Sequence, residues 1–514
     1  MNAILPSGFS SLTVGSGIRA AALREPAKPA IICGDRRRSH GQLVQAMNRV
    51  ANAVQGLGLT AGQNVALIAP NCLEYIEIVA GVSDMGGAVA TPNPKLSTPE
   101  LVDICNDAQA QILFVHPDVQ LDSAQLSSVQ HIITLGAEYD ALLARAAAEF
   151  APPALAEWAT FSIPYTSGTT GRPKGVLLPH RSRTLAYLSY AAEYGIYSPD
   201  DHYLAFAPMC HGAGLAFATA AVFVGGTVEI LVKFEPEVVL RAVHSGRVTG
   251  MFTVPTHYHA FFDLEPSLLE SLRGHRLRGI VANAAPLPQT MKRQIVEYFG
   301  PGLLHETYGS TEAGVVSNLR PQDQLRKTNC VGLPFIGNQV RLLGEDGRAV
   351  ARGEVGELFS TSACLFAGYW GNEAATREAY TMVGGTPWVS VGDLARQDDE
   401  GYLYIVDRKK DMVITGGVNV YPREVEAVLD QHPAVLESAV FGVPDARWGE
   451  LLMACVVLAP GAAAEAGALI DFLKPRLAPY KCPKQLVLVA ALPRNANGKV
   501  LKRELRGTYA ALQA

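Results

Sequence analysis

No two of the eight cysteines form a Cys-x-x-Cys pair; they stand singly at positions 33, 72, 105, 210, 330, 364, 455 and 482. That spacing excludes zinc ribbons and thioredoxin-like redox sites. In a chain of 514 residues the thiols read as reduced core groups, not as a disulfide framework. Charge of one sign is equally scarce: 43 Lys plus Arg face 48 Asp plus Glu, a net −5. A non-specific nucleic-acid binder needs a basic face, and this balance holds no such excess, so no nucleic-acid partner is expected. A long uninterrupted apolar run is missing too. Residues 203–228 contain no Lys, Arg, Asp or Glu, but Pro208 and the glycines at 212, 214, 225 and 226 break them. Such a segment suits a buried core better than a membrane span. Residues 1–26 lack a basic segment followed by a continuous apolar stretch. A cytoplasmic location without a membrane span is expected.

What is present is core-forming material. Hydrophobic residues make up 48% and charged residues 18%, which fits a globular chain of about three domains, or one large and one small. The 48 glycines and 32 prolines fit many turns and loops that approach a ligand closely. Residues 42–57 read as an amphipathic helix, 64–68 as a buried strand, 73–82 as a helix, 100–107 as a helix and 111–115 as a strand. The pattern recurs with a strand at 227–232, a helix at 236–245 and a strand at 250–254. Strands alternating with helices predict parallel sheets covered on both faces, an α/β class. The Ala-rich stretch 144–159 reads as a linker or loosely packed helix. From about residue 339 the texture changes to short strands and turns: VRLLGEDGRAV as two strands, then GELFS and GYLYIVD. Beyond the charged run 407–411 lies an α+β pattern, with helices at 422–431 and 466–477 and strands at 436–443 and 452–458.

The strongest local signal is the run Thr166, Ser167, Gly168, Thr169, Thr170, Gly171, Arg172, Pro173, Lys174 and Gly175. Its glycines let backbone N–H groups approach an anion, while its hydroxyls and Lys174 can ligate phosphate oxygens. It is not a GxxxxGK[ST] loop, because Gly175 follows Lys174 and the spacing differs. Further motifs follow in order: PMCHG at 208–212, NAAP at 283–286, YGSTE at 308–312, VGDL at 391–394, DRKKD at 407–411, Gly416-Gly417 with Tyr421-Pro422, and PRNANGK at 493–499.

This series resembles the AMP-forming, adenylate-forming enzymes, which include acyl- and aryl-CoA synthetases, luciferases and peptide-synthetase adenylation domains. The resemblance spans nearly the whole chain. It implies a large N-terminal domain, residues 1–408, of stacked sheets with helices and a distorted β-barrel, and a small mobile α+β domain, residues 409–514. It also implies ATP, Mg²⁺ and coenzyme A as reactants, with a carboxylic acid as the small-molecule substrate. A homodimer is compatible with it.

Several motif residues have a chemical reason of their own. Tyr308 offers a flat ring for a purine, Gly309 permits close packing, Ser310 and Thr311 present hydroxyls, and Glu312 is a hard oxygen ligand suited to Mg²⁺ on nucleotide phosphates. Asp393 follows an apolar run and Gly392, where a carboxylate can accept both ribose hydroxyls. The resemblance implies that Asn283, Ala284, Ala285 and Pro286 lie near the nucleotide, and that Arg408 contacts ribose. It makes Lys410 the hinge, and Lys499 the bridge between the substrate carboxylate and the α-phosphate. Gly416, Gly417 and Trp448 are implied to receive coenzyme A.

The implied acyl pocket holds His211, Gly212, Gly214, His257, Gly309 and Gly314, with His211 at the carboxylate. Two positions depart from the family pattern: Cys210 stands where an aromatic is usual, and Asn283 where a glycine is. The pocket segments 211–217, 257–262, 283–286 and 309–316 contain no Arg or Lys to pair a second carboxylate. An aryl or medium-chain monocarboxylic acid is therefore expected before a malonate-like diacid. An amino-acid adenylation module loading a carrier protein is disfavoured, since no acid within 211–217 is placed to hold an α-amino group. A long-chain fatty acid or a dicarboxylic acid remains an alternative substrate. Neither a luciferase-like oxygenase nor a non-catalytic nucleotide-binding protein is preferred; the second would have no need of Lys499.

Overall fold

Continuous apolar runs become strands buried on both faces, and the amphipathic segments between them become the helices that cover those faces. The computed structural model describes residues 11–166, 173–415, 418–445, 448–494 and 500–511. Packing divides the chain into two compact units, Met1–Val340 with Ser360–Val389, and Arg341–Phe359 with Ser390–Ala514. The strand Gly356–Thr361 runs across that division.

In the first unit, one sheet of described residues has nine strands. Its centre is parallel: Thr227–Ile230, His202–Ala205, Gly250–Thr253, Gly279–Ala282 and Leu304–Ser310 lie side by side in that order. Parallel neighbours require crossovers, and the helices Gly212–Val224, Pro236–His244, Pro255–Phe262 and Gln289–Phe299 supply them. A second, eight-stranded sheet carries the parallel run Ala88–Ala90, Asn64–Ile68, Ala110–Val115 and His131–Thr134. One apolar cluster contains Ile31 and Val228 of the first sheet, Val65 and Leu67 of the second, and Met47, Ile78 and Phe217 of the helices. Shared side chains of this kind place helices between the two sheets.

The second unit has a five-stranded sheet built on the long antiparallel pair Val435–Asp445 and Gly449–Leu458, with the helices Pro422–Leu429 and Ala466–Leu473. Strands Asp393–Gln397 and Leu403–Arg408 pair antiparallel in the same unit. The mixed α/β class with a smaller α+β unit agrees with expectation.

The strand Asn64–Ile68 has its expected bounds, and all five of its residues are buried. The helix expected over 466–477 stops at Leu473, because Pro475 excludes its predecessor from the helical region and lacks an N–H. The stretch 144–159 is not a helix beyond Arg145. Instead Asn48 donates to Ala148 O at 2.7 Å, and Asn52 donates to Ala147 O and Glu149 O at 2.8 Å. These bonds pin irregular backbone against a neighbouring helix. Of the two strands expected in VRLLGEDGRAV, only Gln339–Leu343 forms; the return is a single bridge from Leu343 to Ala349. The apolar stretch 203–228 splits into a strand, His202–Ala205, and a helix, Gly212–Val224, buried from Gly214 to Phe223. No helix among the described residues is long and apolar enough to cross a membrane.

Candidate active site

The two ends of the expected phosphate-loop motif pair with each other in the first unit. Tyr165–Thr166 pairs antiparallel with Lys174–Pro179, in register Tyr165 to Gly175 and Thr166 to Lys174. Ser167, Gly168, Thr169, Thr170 and Gly171 lie outside the described residues. Lys174 sits with its ammonium 5.0 Å from the centre of the Tyr369 ring, a cation–π distance. The Tyr369 hydroxyl in turn donates to Glu312 Oε1 at 2.8 Å. Tyr369 reaches this position on a two-residue strand, Gly368–Tyr369, paired with Lys174–Pro179. Burial and the Glu312 carboxylate raise its pKa, so the hydroxyl stays a donor. The fold thus joins Lys174 and Glu312, both expected site residues, through a tyrosine that sequence reasoning missed.

Glu312 sits in the turn of a tight hairpin. Tyr308, Gly309 and Ser310 end the strand Leu304–Ser310, which turns back into Gly314–Leu319 with a bulge at Tyr308/Gly309. A side chain on Gly309 would begin 2.0 Å from Gly314 O, so only glycine fits. Ser310 Oγ accepts from Ala313 N at 3.0 Å, and Glu312 O accepts from Phe366 N at 2.9 Å. Among the described residues the second Glu312 carboxylate oxygen has no hydrogen-bond partner, and no cluster of three His, Cys, Asp or Glu could cage a metal. One free hard oxygen without a protein cage suits Mg²⁺, which keeps waters and substrate phosphates as its other ligands.

Asn283 ends the strand Gly279–Ala282, its N–H bonded to Thr253 O at 3.2 Å. Ala284 follows with φ 74°, a left-handed conformation that costs a non-glycine residue about 1–2 kcal/mol. The Asn283 side-chain oxygen accepts from Ala284 N and steadies it. Ala285 and Pro286 are exposed, and the loop then descends to Leu287, whose N–H bonds Glu306 Oε1 at 3.1 Å. Glu306 is paired with Lys292, and both are buried.

His211 caps the buried helix Gly212–Val224. Its Nε2 faces Asn93 Nδ2 at 3.5 Å. Burial, then Lys95, lower its pKa, so the imidazole is neutral at neutral pH. The preceding loop is braced from behind: Asn71 donates to Ala207 O at 3.1 Å and accepts from Met209 N at 2.8 Å, while Thr91 Oγ1 donates to Cys210 O at 3.1 Å. Burial pushes the Cys210 thiol up to about 12. A carbon on Gly212 would lie 3.5 Å from Thr311 Cγ2, which brings Thr311 beside His211's helix. Gly314, with φ 69°, faces Cys364. Gly214 faces the Pro208 carbonyl, 2.1 Å from where its side chain would begin. His257 stacks on Phe234 with ring centres 4.3 Å apart, accepts from Val254 N at 3.2 Å, and is lowered to about 4 by burial.

In the second unit Asp393 and Arg408 are register partners on adjacent strands, with Arg408 Nε 3.3 Å from Asp393 Oδ1. Asp393 is buried and follows Gly392, φ 78°. Asp407, also buried, accepts from Arg408 N at 2.7 Å and from Arg423 N at 2.9 Å. Tyr421 at the start of the helix Pro422–Leu429 offers no side-chain cap, so Asp407 satisfies that helix from a neighbouring strand. Lys410 has its pKa lowered by burial and by Arg408, and its carbonyl accepts from Arg506 at 3.3 Å. The Trp448 backbone N–H donates to Asp445 Oδ1 at 2.8 Å. Gly416, Gly417 and Lys499 lie outside the described residues. Arg494 and Val500 form a bridge, and Leu501 N donates to Pro493 O at 2.8 Å.

A model of the AMP-binding enzyme family matches residues 18–370, and one of the AMP-binding enzyme C-terminal domain matches residues 424–499. The chain belongs to the AMP-binding enzyme family. It is similar to the medium/long-chain-fatty-acid–CoA ligase FadD8 of Mycobacterium tuberculosis, at 33% identity over 95% of this chain and 89% of that one. It is similar to the feruloyl-CoA synthase of an Amycolatopsis species, at 34% identity over 96% and 99%. Among solved structures, ATP-bound MatB from Rhodopseudomonas palustris matches with a TM-score of 0.89 at 31% identity, covering 98% of this chain and 100% of that one. The branch in which this AMP-binding enzyme sits is that of the acyl- and aryl-CoA ligases.

Proposed function

We propose that this AMP-binding enzyme is an acyl-CoA synthetase that joins an aryl or medium-chain carboxylic acid to coenzyme A, converting ATP to AMP and pyrophosphate. The observation that carries the reading is the chain of contacts from Lys174 through Tyr369 to Glu312 beside the phosphate hairpin. It sets a cation for phosphate oxygens and a carboxylate for Mg²⁺ on one face. Bound Mg²⁺ neutralises phosphate charge; the protein groups position and polarise.

In the first half-reaction His211 holds the acid by a neutral hydrogen bond, avoiding the desolvation of a fixed cation. A carboxylate oxygen attacks the α-phosphorus, the bond to the β-phosphate oxygen breaks, and pyrophosphate leaves. Thr311 and Lys499 stabilise the charge that builds on the α-phosphate. Tyr308 stacks on adenine, and Asp393 with Arg408 takes the ribose hydroxyls. In the second half-reaction the coenzyme A thiolate attacks the acyl carbon, and the bond to AMP oxygen breaks. Residues 409–514 turn about Lys410 between the halves, and Gly416, Gly417 and Trp448 admit pantetheine.

The test is to supply ATP, Mg²⁺, coenzyme A and a panel of acids, following AMP and thioester together, with ATP–pyrophosphate exchange measured without coenzyme A. Stoichiometric AMP and thioester support the reading. Exchange without any thioester would assign the acyl group to a carrier protein. No exchange with any acid would overturn adenylation.

A further inference from the structure

Next to the loop that carries Asn283, Ala284, Ala285 and Pro286 lies a buried ion pair for which the proposed reaction has no use. Lys292, on the helix Gln289–Phe299, is 1% exposed, and Glu306, on the strand Leu304–Ser310, is 5% exposed. Lys292 Nζ pairs with Glu306 Oε2, and among the described residues neither has another ion-pair partner. An ion pair taken out of water contributes little or no net stability over apolar side chains of the same volume. Stability alone therefore does not account for it.

Glu306 holds both ends of that loop. The chain leaves the sheet at Ala282, the register partner of Glu306, and Thr307 Oγ1 donates to the Ala282 carbonyl at 3.4 Å. It comes back at Leu287, whose N–H donates to Glu306 Oε1 at 3.1 Å. Pro288, the next residue, has no N–H and gives the helix no side-chain cap, so the Glu306 carboxylate takes the last N–H before the helix. Between these two anchors Ala284 sits at φ 74°, a conformation that a non-glycine residue keeps only where its surroundings hold it. Tyr308 is two residues beyond Glu306 on the same strand. The two carboxylate oxygens thus have separate tasks: Oε1 takes the loop, and Oε2 takes Lys292, whose charge balances a carboxylate removed from water. Sequence pattern alone does not mark either residue, because 292 and 306 meet only through the packing of the helix on the strand.

We infer that Glu306 is a positioning residue for the nucleotide base, fixing residues 283–286 relative to the Tyr308 ring, with Lys292 as its counter-charge. This rests on the acyl-CoA synthetase reading, in which the purine lies against Tyr308 with residues 283–286 nearby. Glu306 touches no substrate; it acts through the backbone of Leu287. What position 306 must supply is an acceptor for that N–H, and a neutral amide supplies one as a carboxylate does. An apolar side chain of similar size supplies none and leaves a buried N–H unpaired. The loop then relaxes from its strained conformation, and the purine meets a wall that is no longer preorganised. The loss falls on nucleotide affinity, not on acid affinity or on the chemical step.

The experiment compares wild type with two double variants. Glu306→Gln with Lys292→Met removes both charges and keeps the acceptor; Glu306→Leu with Lys292→Met removes the acceptor as well. Glu306→Asp, which keeps the charge and shortens its reach by one methylene, serves where the second double variant does not fold. ATP–pyrophosphate exchange gives kcat and the KM values of Mg·ATP and of the acid, titration calorimetry gives the Kd of Mg·ATP alone, and the melting temperature is read beside them. The first double variant should hold every constant within about threefold of wild type and melt no lower. The second, and Glu306→Asp, should raise the KM and Kd of Mg·ATP by about 10-fold, with kcat and the KM of the acid within about threefold. An unchanged Mg·ATP affinity in both, or an equal rise in the KM of both substrates in step with a lower melting temperature, overturns the inference and leaves the synthetase reading standing. A wild type that binds Mg·ATP but exchanges pyrophosphate with no acid, its affinity still falling in the second double variant, supports the positioning role and counts against adenylation.

Discussion

Removing one oxygen at Tyr369 isolates the link between the phosphate hairpin and Glu312. Tyr369→Phe keeps the ring under Lys174, 5.0 Å from its ammonium, and deletes only the hydroxyl that donates to Glu312 at 2.8 Å. A hydrogen bond to a charged group contributes about 1.5–3 kcal/mol. Tyr369 is half-buried, so solvent competes and about 1–2 kcal/mol is the working magnitude, or about 5- to 30-fold in kcat/KM. The assay is ATP–pyrophosphate exchange at saturating acid with Mg·ATP varied. Thioester formation from a pre-made acyl-adenylate should be nearly unchanged, because pyrophosphate and its metal have left by then. Tyr369→Ala should lose more, by the cation–π contribution of about 0.5–1 kcal/mol. The double variant Tyr369→Phe with Glu312→Gln should be no slower than Glu312→Gln alone, since the hydroxyl acts through that carboxylate. Full additivity in that cycle, or exchange by Tyr369→Phe at the wild-type rate, would refute the reasoning.

Other predictions concern separate links. Asp407→Asn sets a side-chain N–H₂ against a backbone N–H that now has an acceptor, and should cost the second unit about 1–3 kcal/mol by urea unfolding, with the first turn of Pro422–Leu429 losing hydrogen-exchange protection. Glu77 is pushed from 4.5 up to about 7 by burial, against the opposing pull of Arg38. Its folded carboxyl therefore holds a proton that the unfolded chain has released between those values, and wild-type stability falls as pH rises through that window. Glu77→Gln has no such proton, so its stability relative to wild type should grow by on the order of 3 kcal/mol from pH 4.5 to 7 and then level off, as calorimetry can follow. Lys499→Ala should slow adenylation by on the order of 10²–10³ while sparing thioester formation from a supplied adenylate, as single-turnover kinetics of the two halves would show. Equal loss in both halves counts against rotation about Lys410.

Local pattern was enough where a segment's periodicity and its burial agree. Asn64–Ile68 is apolar without alternation and is a central parallel strand; residues 42–57 repeat at helical spacing and form the helix His40–Gly56. The expected Lys174, Tyr308 and Glu312 lie on two hairpins of one unit because each motif carries its own turn chemistry. What the sequence hid is long-range. Tyr369 stands 57 residues from Glu312, on a strand of two residues that no periodicity can reveal. Asp407 works as a helix cap across 16 residues, from a strand end. His257 and Gly214 show the converse: one is enclosed by Phe206 and Phe234, and the other abuts the Pro208 carbonyl.

The thiol of Cys210 sets a limit on side reactions. An acyl-adenylate is open to attack by any nearby thiolate, and this protein carries a sulfur on the residue next to His211. With its pKa pushed up to about 12, that sulfur is ionised in about one molecule in 10⁵ at pH 7, whereas an ordinary thiol near 8.5 is ionised in a few per cent. The incoming acceptor thus holds an advantage of more than about a thousandfold in reactive form before any positioning is counted. On the reading proposed above, burial next to His211 converts a potential self-acylation target into inert packing, so the intermediate can outlast the interval between its formation and the arrival of coenzyme A.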